Sequence, residues 1–214
     1  MGSEERRKRE VEARKKSILD AGRTLFGEKG FASVTVDEIA ERAELSKGTV
    51  YYYFASKHEI LGTLQLENME LLHEWFEEAV AGVQDPIERL RSLAETYARY
   101  IREKLNSSHT MFLLHQDFRM AEMSGEIQGR MLAEISALFG YIQQAVKEGI
   151  DLGRIRSDLD PVKISFAFWG AAVGIHALGV KIGSLLMPDF AEAVSNEFLK
   201  LIPAGLAAGP TGEK

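Results

Sequence analysis

Between residues 35 and 57 the sequence has room for two short helices joined by about three residues, and for little else. Thr35-Val36-Asp37-Glu38 has the form of a capping box, in which hydroxyl and carboxylate each accept from the other residue's amide. Val34 and Ile39 sit where a hydrophobic staple closes that entry, and Val36, Ile39, Ala40 and Ala43 share one helical face. Ser46 is placed to cap a second helix from Lys47, with Leu45 and Val50 as its staple. The short gap between them is the turn of a helix-turn-helix unit, which sets two helices roughly perpendicular. With a preceding helix that brings Ile18, Ala21, Leu25 and Phe26 to one face, Ile39, Ala40, Val50 and Phe54 converge on one small core. Lys47, Gly48, Thr49, Tyr51 and Tyr52 are left on or near the outer surface, and Tyr53 is shared between that surface and the side of Val50.

The rest of the chain keeps the helical period. Gly30 can end the first helix in a left-handed conformation. Ser56-Lys57-His58-Glu59 repeats the capping box for a helix to about residue 81. Asp85-Pro86 opens one to about 105, followed by helices over about 109–120 and 125–148. Asp160-Pro161 opens another to about 182, and Pro188 the last, ending before Pro203. The expectation is an all-α chain of about nine helices. Residues 1–60 form a three-helix helix-turn-helix domain, 61–204 a larger helical body, and 205–214 a disordered tail.

Composition narrows the chemistry. There is no cysteine among 214 residues, so thiolate metal sites and disulfides are excluded and a reducing cytoplasm is the expected compartment. No zinc-type spacing, calcium loop, Ser/His/Asp set, HExxH or phosphate-binding glycine loop occurs, so neither metal, cofactor nor enzymatic activity is expected. No apolar run is long enough to span a bilayer. The net charge of −6 is unevenly spread: residues 1–60 carry 12 Lys+Arg against 11 Asp+Glu, and the remainder 14 against 21. Arg6, Arg7, Lys8, Arg9, Arg14, Lys15 and Lys16 make the N-terminal arm the most basic stretch, either a phosphate-facing surface or a solvated helix face.

Ser46-Lys47-Gly48-Thr49-Val50-Tyr51-Tyr52-Tyr53-Phe54-Ala55-Ser56-Lys57 closely resembles the recognition-helix signature of the tetracycline-repressor (TetR) family. The resemblance extends back through Thr35-Val36-Asp37-Glu38-Ile39-Ala40 and 21–30, covering about 14–61. It implies a DNA-binding head on a ligand-binding, dimerising body. Thr49 and Tyr52 would read base edges, while Tyr51, Lys57 and Thr35 would meet phosphates. Lys47 is placed for a phosphate or a guanine, Gly48 for close approach of the backbone, and Tyr53 either for a DNA contact or for core packing beside Val50. This helix has no Arg, Asn or Gln to make a bidentate base contact, so phosphate contacts and DNA shape are expected to carry much of the discrimination.

The partners implied are a double-stranded operator, a second copy of the chain and a small lipophilic effector whose binding releases DNA. A homodimer would meet two half-sites about 34–36 Å apart. Its interface is expected at Ala167, Gly170, Ala171 and Gly174, small residues at three- and four-residue spacing, and at Phe190, Val194 and Phe198. Phe112, His115, Phe139, Trp169 and His176 are the effector-pocket candidates. The competing expectation keeps the head but makes the body a protein-interaction or dimerisation module without a small ligand.

Overall fold

The computed structural model describes residues 2–104 and 119–178, and residues 193, 194, 197, 198, 200, 201, 205 and 206. Among them there are seven α-helices and no strand: α1 (Ser3–Lys29), α2 (Val36–Arg42), α3 (Lys47–Tyr53), α4 (Lys57–Val80), α5 (Pro86–Lys104), α6 (Gly125–Asp151) and α7 (Pro161–Leu178). A 3₁₀ turn, Met120–Glu122, precedes α6. The all-α expectation holds. Seven helices are counted where about nine were expected; most of the helices anticipated over 109–120 and from 188 onward fall outside the described residues.

Local chemistry sets the element boundaries. The first two-thirds of α1 is supported by pairs one turn apart, Glu10–Arg14 at 2.7 Å and Lys16–Asp20 at 2.5 Å. Gly30 ends it at φ 78° and ψ 150°, an extended positive-φ conformation essentially confined to glycine, in place of the left-handed helical one expected. The capping box at Thr35 is complete: its Oγ1 accepts from the Glu38 amide at 3.3 Å, and Glu38 Oε2 accepts from the Thr35 amide at 2.8 Å. At α4 the reciprocity is displaced by one residue. Ser56 Oγ caps the Glu59 amide, but the Glu59 carboxylate takes the amide of Ala55.

The turn between α2 and α3 is a Schellman motif built on a residue that is not glycine. Glu44 has φ 56°, its amide donates to the Glu41 carbonyl, and the Leu45 amide reaches back to Ala40. Leu45 then packs on the buried cluster beside Ile39 and Ala40. A left-handed conformation costs a residue bearing a Cβ about 1–2 kcal/mol. Glu44→Gly is therefore expected to raise the unfolding free energy by about 1 kcal/mol, after allowing for glycine's larger unfolded-state entropy. Denaturant melts would check this; a less stable variant would contradict it.

The chain divides into two compact units. The first comprises Met1–Met69 and Ser107–Ala133. Its core joins Ile18, Leu25, Phe26, Phe31, Val34, Ile39, Val50, Phe54, Ile60, Leu61 and Leu64, all buried. Two glycines admit close helix approach: a Cβ on Gly22 would stand 2.9 Å from Ile60, and one on Gly62 would stand 2.5 Å from Met123 Sδ. His58 Nδ1 lies 2.8 Å from the Glu122 carboxylate, and Ser56 Oγ donates to the Glu122 carbonyl at 3.3 Å. The start of α4 is thus held between α1 and the turn that precedes α6.

The second unit comprises Glu70–Asn106 and Glu134–Lys214. Asp85 caps α5 through the amides of Ile87 and Glu88, and Arg154 stands 2.8 Å from the same carboxyl group. Arg89 pairs with Glu148 at 2.6 Å, and Ile155 folds back against Gly149 so closely that a Cβ there would lie 2.5 Å from it. Asp160 caps α7. Both α4 and α6 contribute residues to each unit.

Candidate nucleic-acid interface

The recognition helix α3 is fixed at both ends and from below. Ser46 Oγ accepts from the Thr49 amide at 3.1 Å, Val50 and Phe54 are buried, and the Phe54 amide closes the last turn on Val50. A seven-residue helix is unstable alone, so this capping and packing hold it in place. The side chains that do not enter the core are presented to solvent. Tyr52 is 77% exposed and Tyr51 47%, both far beyond what a tyrosine gains by packing. Tyr53 turns the other way and packs on the buried cluster, with its ring edge-on to Tyr52 at 5.0 Å.

The remaining expected contacts fall as follows. Lys47 and Gly48 are exposed at the start of α3. Lys47 Nζ pairs with Asp37 on α2 at 2.8 Å, and that carboxylate raises the lysine's pKa. The sequence offered no signal for this pair, ten residues apart across the turn. Thr49 is half-buried and its hydroxyl shares a 2.8 Å hydrogen bond with Ser46. Thr35 is exposed at the N-terminus of α2. Its partner Glu38 has its pKa lowered to about 2, first by the Lys29 ammonium and then by the Thr35 amide and hydroxyl. The folded-state value is depressed, so this cap's contribution is complete above the ordinary carboxylate range and fades as pH falls from about 4.5 towards 2.

Lys57 is where the geometry adds most to the expectation. Its ammonium donates to the carbonyls of Phe31 and Val34, each at 2.8 Å, and lies 4.4 Å from the centre of the Phe31 ring. A third carbonyl, of Ala32, stands at 3.5 Å. Lys57 thus closes the loop that leads into Thr35. Burial of Phe31, which shares a T-shaped contact with His58, was the feature that sequence reading passed over.

Gly48 has a discriminating property. Among the described residues a Cβ there would meet only Ser46 Oγ, at 3.8 Å, so the fold does not require glycine. Gly48→Ala should leave stability unchanged or raise it by up to about 1 kcal/mol. If backbone and DNA approach closely at this point, operator affinity should fall at least about tenfold, because the new methyl meets the duplex. Parallel melting and operator titration would decide; unaltered affinity would remove the close approach.

In the second unit, Phe139 on α6 and Trp169 on α7 have ring centroids 5.7 Å apart, Tyr97 on α5 lies 5.1 Å from Trp169, and Phe166 lies 4.7 Å from Phe139. Among the described residues, Trp169 Nε1 is buried without a hydrogen-bond acceptor. Burial holds the Tyr97 phenol well above the ordinary tyrosine range. Phe112, His115 and Phe190 lie outside the described residues; His176 is in α7, but its side chain is not described. On α7, Ala167 and Gly170 are exposed and Ala171 and Gly174 half-buried, and among the described residues nothing lies within 4 Å of a Cβ on either glycine. Val162, Phe166 and Leu178 on that helix are each about half exposed or more. Val194 and Phe198 are half-buried, and Phe198 meets the ring of Phe168 at 6.0 Å.

Comparison with known proteins agrees with this geometry. Residues 18–64 match the profile of bacterial regulatory proteins of the tetR family, and residues 86–182 that of the tetracyclin repressor-like C-terminal domain. The transcriptional repressor KstR2 of Rhodococcus jostii is 26% identical over 196 residues, spanning 91% of this chain and 92% of its own. The regulator PfmR from Thermus thermophilus superposes with a TM-score of 0.67 at 27% identity, covering 91% of this chain and 97% of its own. FadR from Bacillus subtilis, solved with stearoyl-CoA, shares the fold with a TM-score of 0.69 at 23% identity, over 89% and 98%. No helix among the described residues is long and apolar enough to cross a membrane. The chain belongs to the TetR family of bacterial DNA-binding transcriptional regulators.

Proposed function

We propose that the protein is a homodimeric repressor, released from a palindromic operator by a small, largely apolar effector. The observation that carries the DNA-binding half is the exposure of Tyr51 and Tyr52 on a helix whose opposite side is locked into a core. Thr49 and Tyr52 read base edges; Tyr51, Lys47 and Thr35 meet phosphates; Gly48 permits close approach. Lys57 supports these contacts by fixing the loop before Thr35 and by its positive charge. The head is residues 1–60 and the body 61–204; the disordered tail expected over 205–214 is corrected at its start, where Leu206 is buried and its carbonyl accepts from the Arg156 amide at 3.0 Å. Repressor activity accords with the R. jostii relative.

For dimerisation the support lies in α7. Its glycines have room around them, and the apolar residues Val162, Phe166 and Leu178 lie open on the protomer. Helices meeting through such residues bury them and approach closely. For the effector, the support is the ring cluster of Tyr97, Phe139, Phe166 and Trp169, together with the buried indole N–H of Trp169, unsatisfied among the described residues. Leaving a buried donor unpaired costs about 1–3 kcal/mol, so an apolar ligand bearing one carbonyl or carboxylate acceptor would relieve that cost. The same fold holds stearoyl-CoA in the Bacillus subtilis protein. A ligand releases DNA only if it binds the released arrangement more tightly, and α4, shared by head and body, is the proposed lever.

The chain has two tryptophans, so Trp75→Phe leaves Trp169 as the sole indole reporter. Titration with long-chain acyl-CoAs and with free fatty acids should change its emission, raise the melting temperature and free a labelled operator. Trp169→Phe should weaken ligand binding about tenfold and leave operator binding intact. If only strongly polar metabolites act, the apolar effector is wrong; if no small molecule acts, the body is a protein-interaction or dimerisation module.

A further inference from the structure

The buried face of α1 has a basic continuation. Ile18, Leu19, Gly22, Leu25 and Phe26 repeat along one side of the helix and are buried. About eleven residues earlier, three helical turns back, the same side carries Arg7, Lys8, Val11, Arg14 and Lys15. Val11, Arg14 and Lys15 are half-buried, and Arg7 and Lys8 are exposed. The face by which α1 grips the helix-turn-helix therefore turns cationic where the core ends.

The position of this stretch is fixed at one point. Ser17 Oγ donates to the Ala43 carbonyl at 3.2 Å, which sets α1 beside the turn leading into α3. From there, residues 3–16 continue in unbroken helix for about 21 Å at 1.5 Å per residue. They hold seven Lys+Arg against four Asp+Glu. Arg14 is paired with Glu10, Lys16 with Asp20, and Arg9 Nε bonds the Glu5 carbonyl. No described ion pair or hydrogen bond engages Arg7, Lys8 or Lys15. A cationic strip beginning beside the turn that leads into α3, with free lysine and arginine heads, suits a phosphate backbone in charge.

We propose that residues 3–16 are a second DNA-binding element, a helical arm that lies along phosphates flanking the half-site entered by α3. Arg7, Lys8 and Lys15 bind those phosphates, and Arg14 exchanges Glu10 for another. The arm adds affinity without reading sequence, whereas α3 supplies the preference among sequences. This inference rests on the DNA-binding reading above, and the experiment separates the two.

Anisotropy titrations of a labelled operator fragment with the full chain, from about 50 to about 200 mM KCl, give the slope of log K against log salt. In a variant carrying Arg7→Gln, Lys8→Gln and Lys15→Gln, the slope should become shallower by about 0.9 for each phosphate that is no longer neutralised. Three such phosphates on each of two protomers predict a change of about 5, with the preference for operator over scrambled duplex preserved. A charge-keeping variant, Arg7→Lys with Lys8→Arg and Lys15→Arg, should retain the parent slope, with circular dichroism confirming equal helix content. Parent affinity and slope in the glutamine variant would overturn the arm while leaving α3 untouched. Tyr52→Ala should do the reverse, erasing preference at constant slope. Failure of the unmodified protein to bind any duplex would overturn both.

Discussion

Tyr52→Ala is expected to weaken operator binding by about two orders of magnitude while leaving the melting temperature nearly unchanged. Stability is insulated because the ring is 77% exposed and its described ring contact is a T-shaped one with Tyr53. Ser46 still caps α3, and Val50 and Phe54 still anchor it. Affinity is not insulated, because on the proposed function each protomer gives up a base-edge interaction worth about 1–2 kcal/mol. Across a dimer that sums to about 3 kcal/mol, or roughly a hundredfold. Affinity for random duplex should change much less. Tyr51→Ala, by contrast, should lower operator and random-duplex affinity together, as removing a phosphate ligand does. Gel-shift or anisotropy titration against both duplexes separates the two tyrosines. An unaltered operator affinity in Tyr52→Ala would remove that residue from the reading surface.

Lys57→Met should have the largest effect on stability, about 2–3 kcal/mol, and should also weaken DNA binding. The ammonium bonds the Phe31 and Val34 carbonyls and covers the Phe31 ring. Methionine fills similar space but leaves those carbonyls without their charged donor, and bonds to a charged group contribute about 1.5–3 kcal/mol. The loop then loosens, and with it the placement of Thr35 at the head of α2. Lys57→Arg should not restore stability, since a planar guanidinium cannot reproduce the ammonium's convergent contacts. Denaturant unfolding is the discriminating measurement. A fully stable Lys57→Met with a shallower salt slope would instead mark this lysine as a direct phosphate contact.

These two residues also show where sequence is transparent. Thr35 and Ser46 announce their helices because capping is written in residues three apart, and both caps are formed. The same holds for Asp85 and Asp160 before prolines. Exposure of Tyr51 and Tyr52 followed from the period of a helix whose other side must be Val50 and Phe54. Opaque features depend on residues distant in sequence. Lys57 meets carbonyls more than twenty residues earlier, and Lys47 meets Asp37 across a turn whose angle no local pattern specifies. Glu44 shows a third case, in which tertiary packing of Leu45 imposes a backbone conformation that local preference would give to glycine. The end of α6 shows a fourth: expected near 148, the helix runs on to Asp151 and turns at Gly153 with φ 66°, while Gly149 leaves the space into which Ile155 packs. The effector region is least legible, since apolar helical residues look alike whether they line a pocket or fill a core.

Entry of α3 into a DNA groove through Tyr52 can be read out by footprinting on fragments of the organism's own chromosome. Two protected half-sites centred about 34–36 Å apart are expected with the unmodified protein, and none with Tyr52→Ala at the same concentration. Protection that is absent at low ionic strength, or that persists unchanged in the folded Tyr52→Ala variant, would contradict it.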